Sequence, residues 1–187
     1  MLKLTTRISR SFDFLAGVYF ENNFLMNSYN MVLSMDVMTD SIYDQNIAMD
    51  RLKFFIHEVI DSSVFIHNKE TKIIEKYTDA GIKVCTLPEE AYDQIVTVLL
   101  YYKLNSITED KLLITHIELE SQLSDGVGFL WESDSMEIPY GQGWWTDNSV
   151  TINDIVKSKK EKVVKLVKKC DWASLGLDWK STDLTTQ

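Results

Sequence analysis

Histidine and cysteine are scarce in this chain: His57, His67 and His116 are the only histidines among 187 residues, and Cys85 and Cys170 the only cysteines. Two cysteines 85 positions apart make neither a zinc finger nor a disulfide framework. No two histidines stand at the His-x-His or His-x-x-x-His spacing of a zinc-binding pair. Proline and glycine are also few. The first 80 residues hold Gly17 and no proline, so they must run in long regular elements with few tight turns. No stretch approaches the ~18 unbroken apolar residues of a membrane span. The charged start Met1-Leu-Lys-Leu-Thr-Thr-Arg has no apolar segment behind it, so the expectation is no signal peptide and a cytoplasmic location. Basic residues are outnumbered 19 to 28, for a net charge of -9. That balance argues against a nucleic-acid backbone binder. There is no Gly-x-Ser-x-Gly, Walker-type loop or Gly-x-Gly-x-x-Gly. Gly126-Val127-Gly128 is explained by a turn.

What remains is globular composition, 45% hydrophobic and 25% charged, with enough length for one domain with a sizeable core. Residues 3–20 alternate loosely and predict a strand, bending at Ala16-Gly17. Residues 24–38 place Met31, Leu33, Met35 and Val37 at period two, a second strand with one buried face. The polar Glu21-Asn22-Asn23 link suits a hairpin. Residues 44–60 change to helical spacing, with Asp44 as N-cap. A short exposed helix over 69–79 ends at Gly81, and Ile82-Lys-Val-Cys-Thr is a brief strand. Pro88 opens a second strong helix, with Glu89 and Glu90 in its first turn. Leu112–Glu120 alternates as a long strand, and Phe129–Glu132 follows as another. The order is β-β-α-(short α)-α-β-β over residues 1–132, then a loop over 133–153 and a helical extension over 154–187. Within that extension, Asp154 to Asp171 carries seven lysines and three acids. All five tryptophans lie after residue 130. The Trp144-Trp145 pair reads as a packing anchor.

Few residues offer chemistry. Cys85 ends a short strand just before a helix start, where a thiol can have a lowered pKa. Its bland alternative is a small buried side chain. Glu118 and Glu120 are two apart on a strand and share a face. On a buried face each needs a partner that a ligand could supply; on an open face they are solvated charges. The histidines, by default, are structural.

Several local strings carry a resemblance. Ser11-Phe-Asp-Phe-Leu-Ala-Gly is similar to a Phe-x-Phe/Ala-Ala-His string, and Phe24-Leu-Met-Asn-Ser-Tyr to a strand bearing His-Gly-His-x-Tyr. Tyr43-Asp-Gln, Ile60-Asp61-Ser62, Leu87-Pro-Glu-Glu-Ala and Thr115-His-Ile-Glu-Leu-Glu-Ser match, in order, an acidic turn, a Leu-Asp-His string, a Pro-Thr-x-Glu-Asn helix start and a Val-x-Val-x-Glu-Thr strand. Over residues 3–130 the chain thus resembles the T-fold family of 6-pyruvoyl- and 6-carboxy-tetrahydropterin synthases. It is also similar to uncharacterised proteins of marine T4-like phages. The resemblance implies an α+β T-fold, an antiparallel sheet with two main helices on one face, assembled as a homo-oligomer.

The departures from the family pattern bear on function. The three zinc histidines fall on Gly17, Leu25 and Asn27, so no metal and no cofactor is expected. The catalytic cysteine falls among Glu21-Asn22-Asn23 and the catalytic histidine on Ser62, while Asp61 remains. A strand carboxylate that accepts ring N–H bonds from a purine- or pterin-like ligand survives as Glu120 or Glu118. The first expectation is therefore a catalytically degenerate binding or assembly protein in phage infection. The enzyme alternative is a synthase acting on a pterin or deazapurine precursor, with Cys85, His116, Asp61 and Glu120 as candidate residues. A third expectation is a virion or host-takeover component whose lysine-rich extension docks a protein partner.

Overall fold

A computed structural model describes residues 6–132 and 138–151. The lysine-rich extension, with Cys170, Trp172 and Trp179, lies outside the described residues. Strands β1 (Arg7–Phe20) and β2 (Asn23–Val37) form one long antiparallel hairpin. Phe20 pairs with Asn23, so only Glu21 and Asn22 make the turn, and both have positive φ (49° and 63°). That is the two-residue turn whose twist matches paired strands. β1 runs through the bend expected at Ala16-Gly17. Its core face carries Phe12, Phe14, Ala16 and Val18, and that of β2 carries Tyr29, Met31, Leu33 and Met35.

Helix α1 (Ile42–Phe54) follows. Ser41, not Asp44, is its N-cap and accepts from the Asp44 N–H at 3.3 Å. The helix continues into a wider π-helical turn, Phe55–Ile60, which buries Phe55, Ile56 and Ile60. Two strands then extend the sheet: β3 (Ser63–His67) and β4 (Lys83–Leu87), joined by α2 (Thr71–Asp79). β3 was not foreseen, although Ser63-Val-Phe-Ile-His is a short apolar run bounded by polar residues. His67 therefore ends a buried strand. Helix α3 (Asp93–Thr108) begins five residues after Pro88, so Asp93, and neither Glu89 nor Glu90, occupies the first turn. β5 (Leu112–Ser121) and β6 (Gly128–Glu132) complete the sheet.

The sheet order is β4-β3-β1-β2-β5-β6. β1-β2-β5-β6 is antiparallel, while β3 and β4 add parallel strands beside β1. The α+β class with an antiparallel sheet therefore holds, with three helices and two further strands. The main core lies between one sheet face and α1 and α3. A smaller cluster, Tyr19, Val64, Ile66 and Val84, packs with Ile73, Ile74 and Tyr77 of α2 on the other face.

The segment 138–151 crosses the helix side as a strap. Trp144 and Trp145 are buried, edge to face at 5.8 Å. Trp144 Nε1 donates to the Thr86 carbonyl at 2.8 Å. Arg51 donates to the Asn148 carbonyl at 2.7 Å, and the Lys103 ammonium to the Asp147 carbonyl at 2.8 Å. Lys103 is 0% exposed, with its ammonium 5.6 Å from the centre of the Phe55 ring.

Burial pushes the Lys103 amine down to about 8, partly opposed by the nearby Asp147 carboxylate. The unfolded chain holds this proton more tightly than the fold does. Charging the buried amine therefore costs stability at every pH below 8. The cost, roughly 3 kcal/mol, fades as pH rises toward 10.5. Urea titrations of the wild type should show stability rising through that window relative to Lys103→Met. Parallel pH curves for the two proteins would show that the amine is not desolvated.

Candidate functional site

The open face of the sheet is set by one irregularity. Ser34 pairs with His116 and Met35 with Ile114, so Thr115 is an extra residue on β5. Leu112 and Ile114 bury before this bulge, and Ile117 and Leu119 after it. Without it the alternation would put one of these pairs in water. As a consequence His116, Glu118 and Glu120 all lie on the face away from α1 and α3.

Glu120 joins a transverse row there. Asp13 pairs with Asn30, Asn30 with Glu120, and Glu120 with Gly128. Asn30 donates to Asp13 at 2.7 Å and to Ser11 at 3.1 Å, which fixes its amide toward β1. A cleft of about 400 Å³ opens over this row, with Ser28, Glu120, Gln122 and Asp125 among its walls. The Glu118 carboxylate leans over Gly128: a Cβ built there would stand 3.0 Å from Glu118 Oε1. Two strand carboxylates thus share one open patch. A carboxylate in this setting accepts two parallel N–H bonds from an amidine-like ligand edge.

Beneath the same end of the sheet, on the core side, lies a buried polar cluster. Ser121 Oγ donates to Asp93 Oδ2 at 2.6 Å, and its lone pair accepts the Ser124 N–H at 3.2 Å. Asn27 Oδ1 accepts the Leu123 N–H at 3.2 Å. The Asn27 amide nitrogen and the Tyr29 hydroxyl are buried without a well-formed hydrogen bond among the described residues, although Tyr29 lies within reach of Asn27 and Asp93. Burial, reinforced by the Asp93 carboxylate, pushes the Tyr29 phenol up, so it stays protonated. His67, also buried, meets Glu90 at 3.1 Å through Nδ1 and leaves Nε2 without a partner among the described residues. Tyr29 stands at the tyrosine of the matched strand motif and His67 is one of the three histidines, but the burial of each comes from contacts made across the fold.

The remaining candidates are dispersed. Cys85 is fully buried on β4, and burial pushes its thiol up and away from the nucleophilic thiolate. It faces the core, while His116 and Glu120 face the other side, four strand spacings or roughly 19 Å away. His116 shares a 2.9 Å hydrogen bond with Ser34. Asp61 accepts the Leu15 N–H at 2.9 Å and the Ser62 hydroxyl at 3.0 Å, which ties β1 to the start of β3. The structure brings Glu118 and Glu120 together with His116 on one face. It does not bring Cys85 or Asp61 to them.

The resemblance implied zinc, and the donor set does not fit it. Leu25 and Asn27 project from the core face. Ala16, paired with Asn27, shares that face, whereas Gly17 faces the other way under the Phe24 ring and Val64. A methyl and an isobutyl group have no donor, and the one amide oxygen already holds the Leu123 N–H. Among the described residues no three His, Cys, Asp or Glu side chains stand close enough to hold a metal ion. No helix among them is long and apolar enough to cross a membrane.

Neither a family model nor a curated protein matches the chain. Solved structures do. An uncharacterised protein of Wolinella succinogenes superposes with a TM-score of 0.53 at 11% identity, over 71% of this chain and 100% of its own. A mutant 6-pyruvoyltetrahydropterin synthase of Plasmodium vivax matches at 0.44 and 9% identity, over 71% and 100%. The Plasmodium falciparum synthase matches at 0.42 and 12%, over 69% and 98%. At 11% identity the first of these likenesses shows the fold alone.

Tyr29→Phe removes a buried hydroxyl that makes only imperfect contacts with Asn27 and Asp93, so it should change stability by no more than about 1 kcal/mol. Ser121→Ala strands both Asp93 and the Ser124 N–H and should cost about 1–2 kcal/mol. Chemical denaturation of both variants compares them directly. A clear loss in Tyr29→Phe would mean that its hydroxyl holds a partner in solution.

Proposed function

We propose that this chain is a metal-free T-fold protein, of phage origin, that binds a small purine- or pterin-like heterocycle and assembles with copies of itself. The observation that carries the metal-free part is the trio Gly17, Leu25 and Asn27, whose one donor, the Asn27 amide oxygen, already holds the Leu123 N–H. The ligand part rests on Glu120, open at the cleft with Ser28, Gln122 and Asp125 around it. A ring bearing adjacent N–H groups complements that carboxylate, and Gln122 and Ser28 supply both donors and acceptors to its rim. Cys85, a buried thiol far from Glu120, gives the enzyme reading no nucleophile at this cleft.

The test is a thermal-shift screen of pterins and guanine analogues. At a hundred-fold excess over Kd a ligand stabilises by about 2.7 kcal/mol, a rise of roughly 5–10 °C for a chain of this size. The rise should vanish in Glu120→Gln and persist in Cys85→Ser. Elemental analysis should find no stoichiometric zinc, and dihydroneopterin triphosphate should not turn over. One zinc per chain, or a ligand shift indifferent to Glu120→Gln, sinks this reading.

A further inference from the structure

Beside the bulge, three strands bring three polar side chains into one transverse row. Ser34 of β2 pairs with His116 of β5, and His116 with Glu132 of β6. Ser34 Oγ and His116 Nε2 stand 2.9 Å apart, and His116 Nδ1 faces Glu132 Oε1 at 3.8 Å. The imidazole thus has a hydroxyl at one nitrogen and a carboxylate at the other. That is the order of groups by which a serine hydroxyl is made nucleophilic. The bulge creates it, because the extra residue turns His116 onto the face of Ser34. The Thr115 hydroxyl donates to the Ser34 carbonyl at 3.2 Å and so ties the bulge to β2 at this residue. Ser34 is four residues along β2 from Asn30, about 13 Å from the carboxylate cleft. None of the three residues lines that cleft.

Exposure rises outward along the row. Ser34 is 8% exposed, while the His116 and Glu132 side chains are 30% and 62% exposed. A hydroxyl this sheltered admits only a small acyl carbon. Val32, two residues from Ser34 on the same face and half-buried, offers that group an apolar seat. Two residues to the other side is Asp36, which pairs with Arg7. Asp36 accepts from Arg7 Nε at 2.8 Å and Nη2 at 3.3 Å. This holds a guanidinium on the same face, with Nη1 outside the pair, where negative charge on an attacked carbonyl oxygen would be stabilised.

We propose that Ser34, His116 and Glu132 form a hydrolytic site for small carboxylic esters, with Ser34 as nucleophile, His116 as its general base and Glu132 as a positioning residue. Ser34 Oγ bonds to the acyl carbon as its proton passes to His116 Nε2. The ester C–O bond then breaks, and the leaving oxygen takes that proton. Water, deprotonated by the same nitrogen, attacks the acyl-serine, releases the carboxylic acid and lets the proton return to Oγ. Glu132 keeps the other proton of the ring on Nδ1. Its exposed side chain closes the 3.8 Å gap as the ring becomes charged, as such contacts tighten when substrate is bound. The site uses no residue of the cleft, so it stands or falls apart from the heterocycle-binding reading.

The full chain should hydrolyse p-nitrophenyl acetate and take up one fluorophosphonate per chain, on the peptide that bears Ser34. Ser34→Ala and His116→Gln should each lower the hydrolysis about 100-fold or more. Glu132→Gln should still label to one per chain, but roughly tenfold more slowly. Loss of folded protein would lower the stoichiometry instead. The labelling of the wild type needs no variant to fold. Label on another residue or on none, hydrolysis that Ser34→Ala leaves intact, or Glu132→Gln labelling at the wild-type rate overturns the proposal. None of these outcomes bears on ligand binding at Glu120.

Discussion

At Thr115, β5 takes one residue more than β2 opposite it, and the placement of every side chain on the outer half of the sheet depends on that. Side chains on a strand alternate with period two, so a single extra residue reverses the parity beyond it. Here the reversal lets Leu112, Ile114, Ile117 and Leu119 all face α1 and α3. It also commits His116, Glu118 and Glu120 to the opposite side. The carboxylate cleft is thus a by-product of satisfying the core. A bulge of this kind is a common way to aim side chains near a site.

The sequence showed what depends on local pattern. The β1–β2 hairpin is written in the period-two run Met31-Leu33-Met35 and the polar turn before it. Helix α3 is written in its apolar stripe, although Pro88 suggested too early a start. The bulge was not legible, because the unbroken alternation from Leu112 to Glu120 fits an unbulged strand equally well. It places Leu112 and Ile114 on the Glu120 face, and only the depth of the core on one side rules that out. β3 was missed because five buried residues between a helix and a polar turn carry no period of their own. Lys103 was invisible for a different reason. Its burial is created by the strap, more than 30 residues later in the chain.

The fold does not depend on a metal set. Metal binding supplies folding free energy where a small domain lacks enough of its own. This core spans both helices and most of the sheet, with Phe55, Phe65, Tyr29 and Leu33 fully buried. Gly17 and Leu25 offer no metal donor, and Asn27 is a bracket for the turn after β5. That bracket leaves its own amide N–H without a well-formed partner among the described residues, a cost of about 1–3 kcal/mol.

The strap has one more consequence, for the order in which the fold can be completed. Proteins are made from the N-terminus, and elements pack as they emerge. The sheet and the three helices α1, α2 and α3 have been synthesised by Glu132. The Thr86 carbonyl, the Lys103 ammonium and Arg51 nonetheless have their strap partners at Trp144, Asp147 and Asn148. Until those residues arrive, the seam between α1 and α3 must stay open to water, because a dry lysine without its acceptor is too costly to bury. The last described segment is therefore the one that seals the core, and a nascent chain stopped short of it would be left with a wet, half-closed interior.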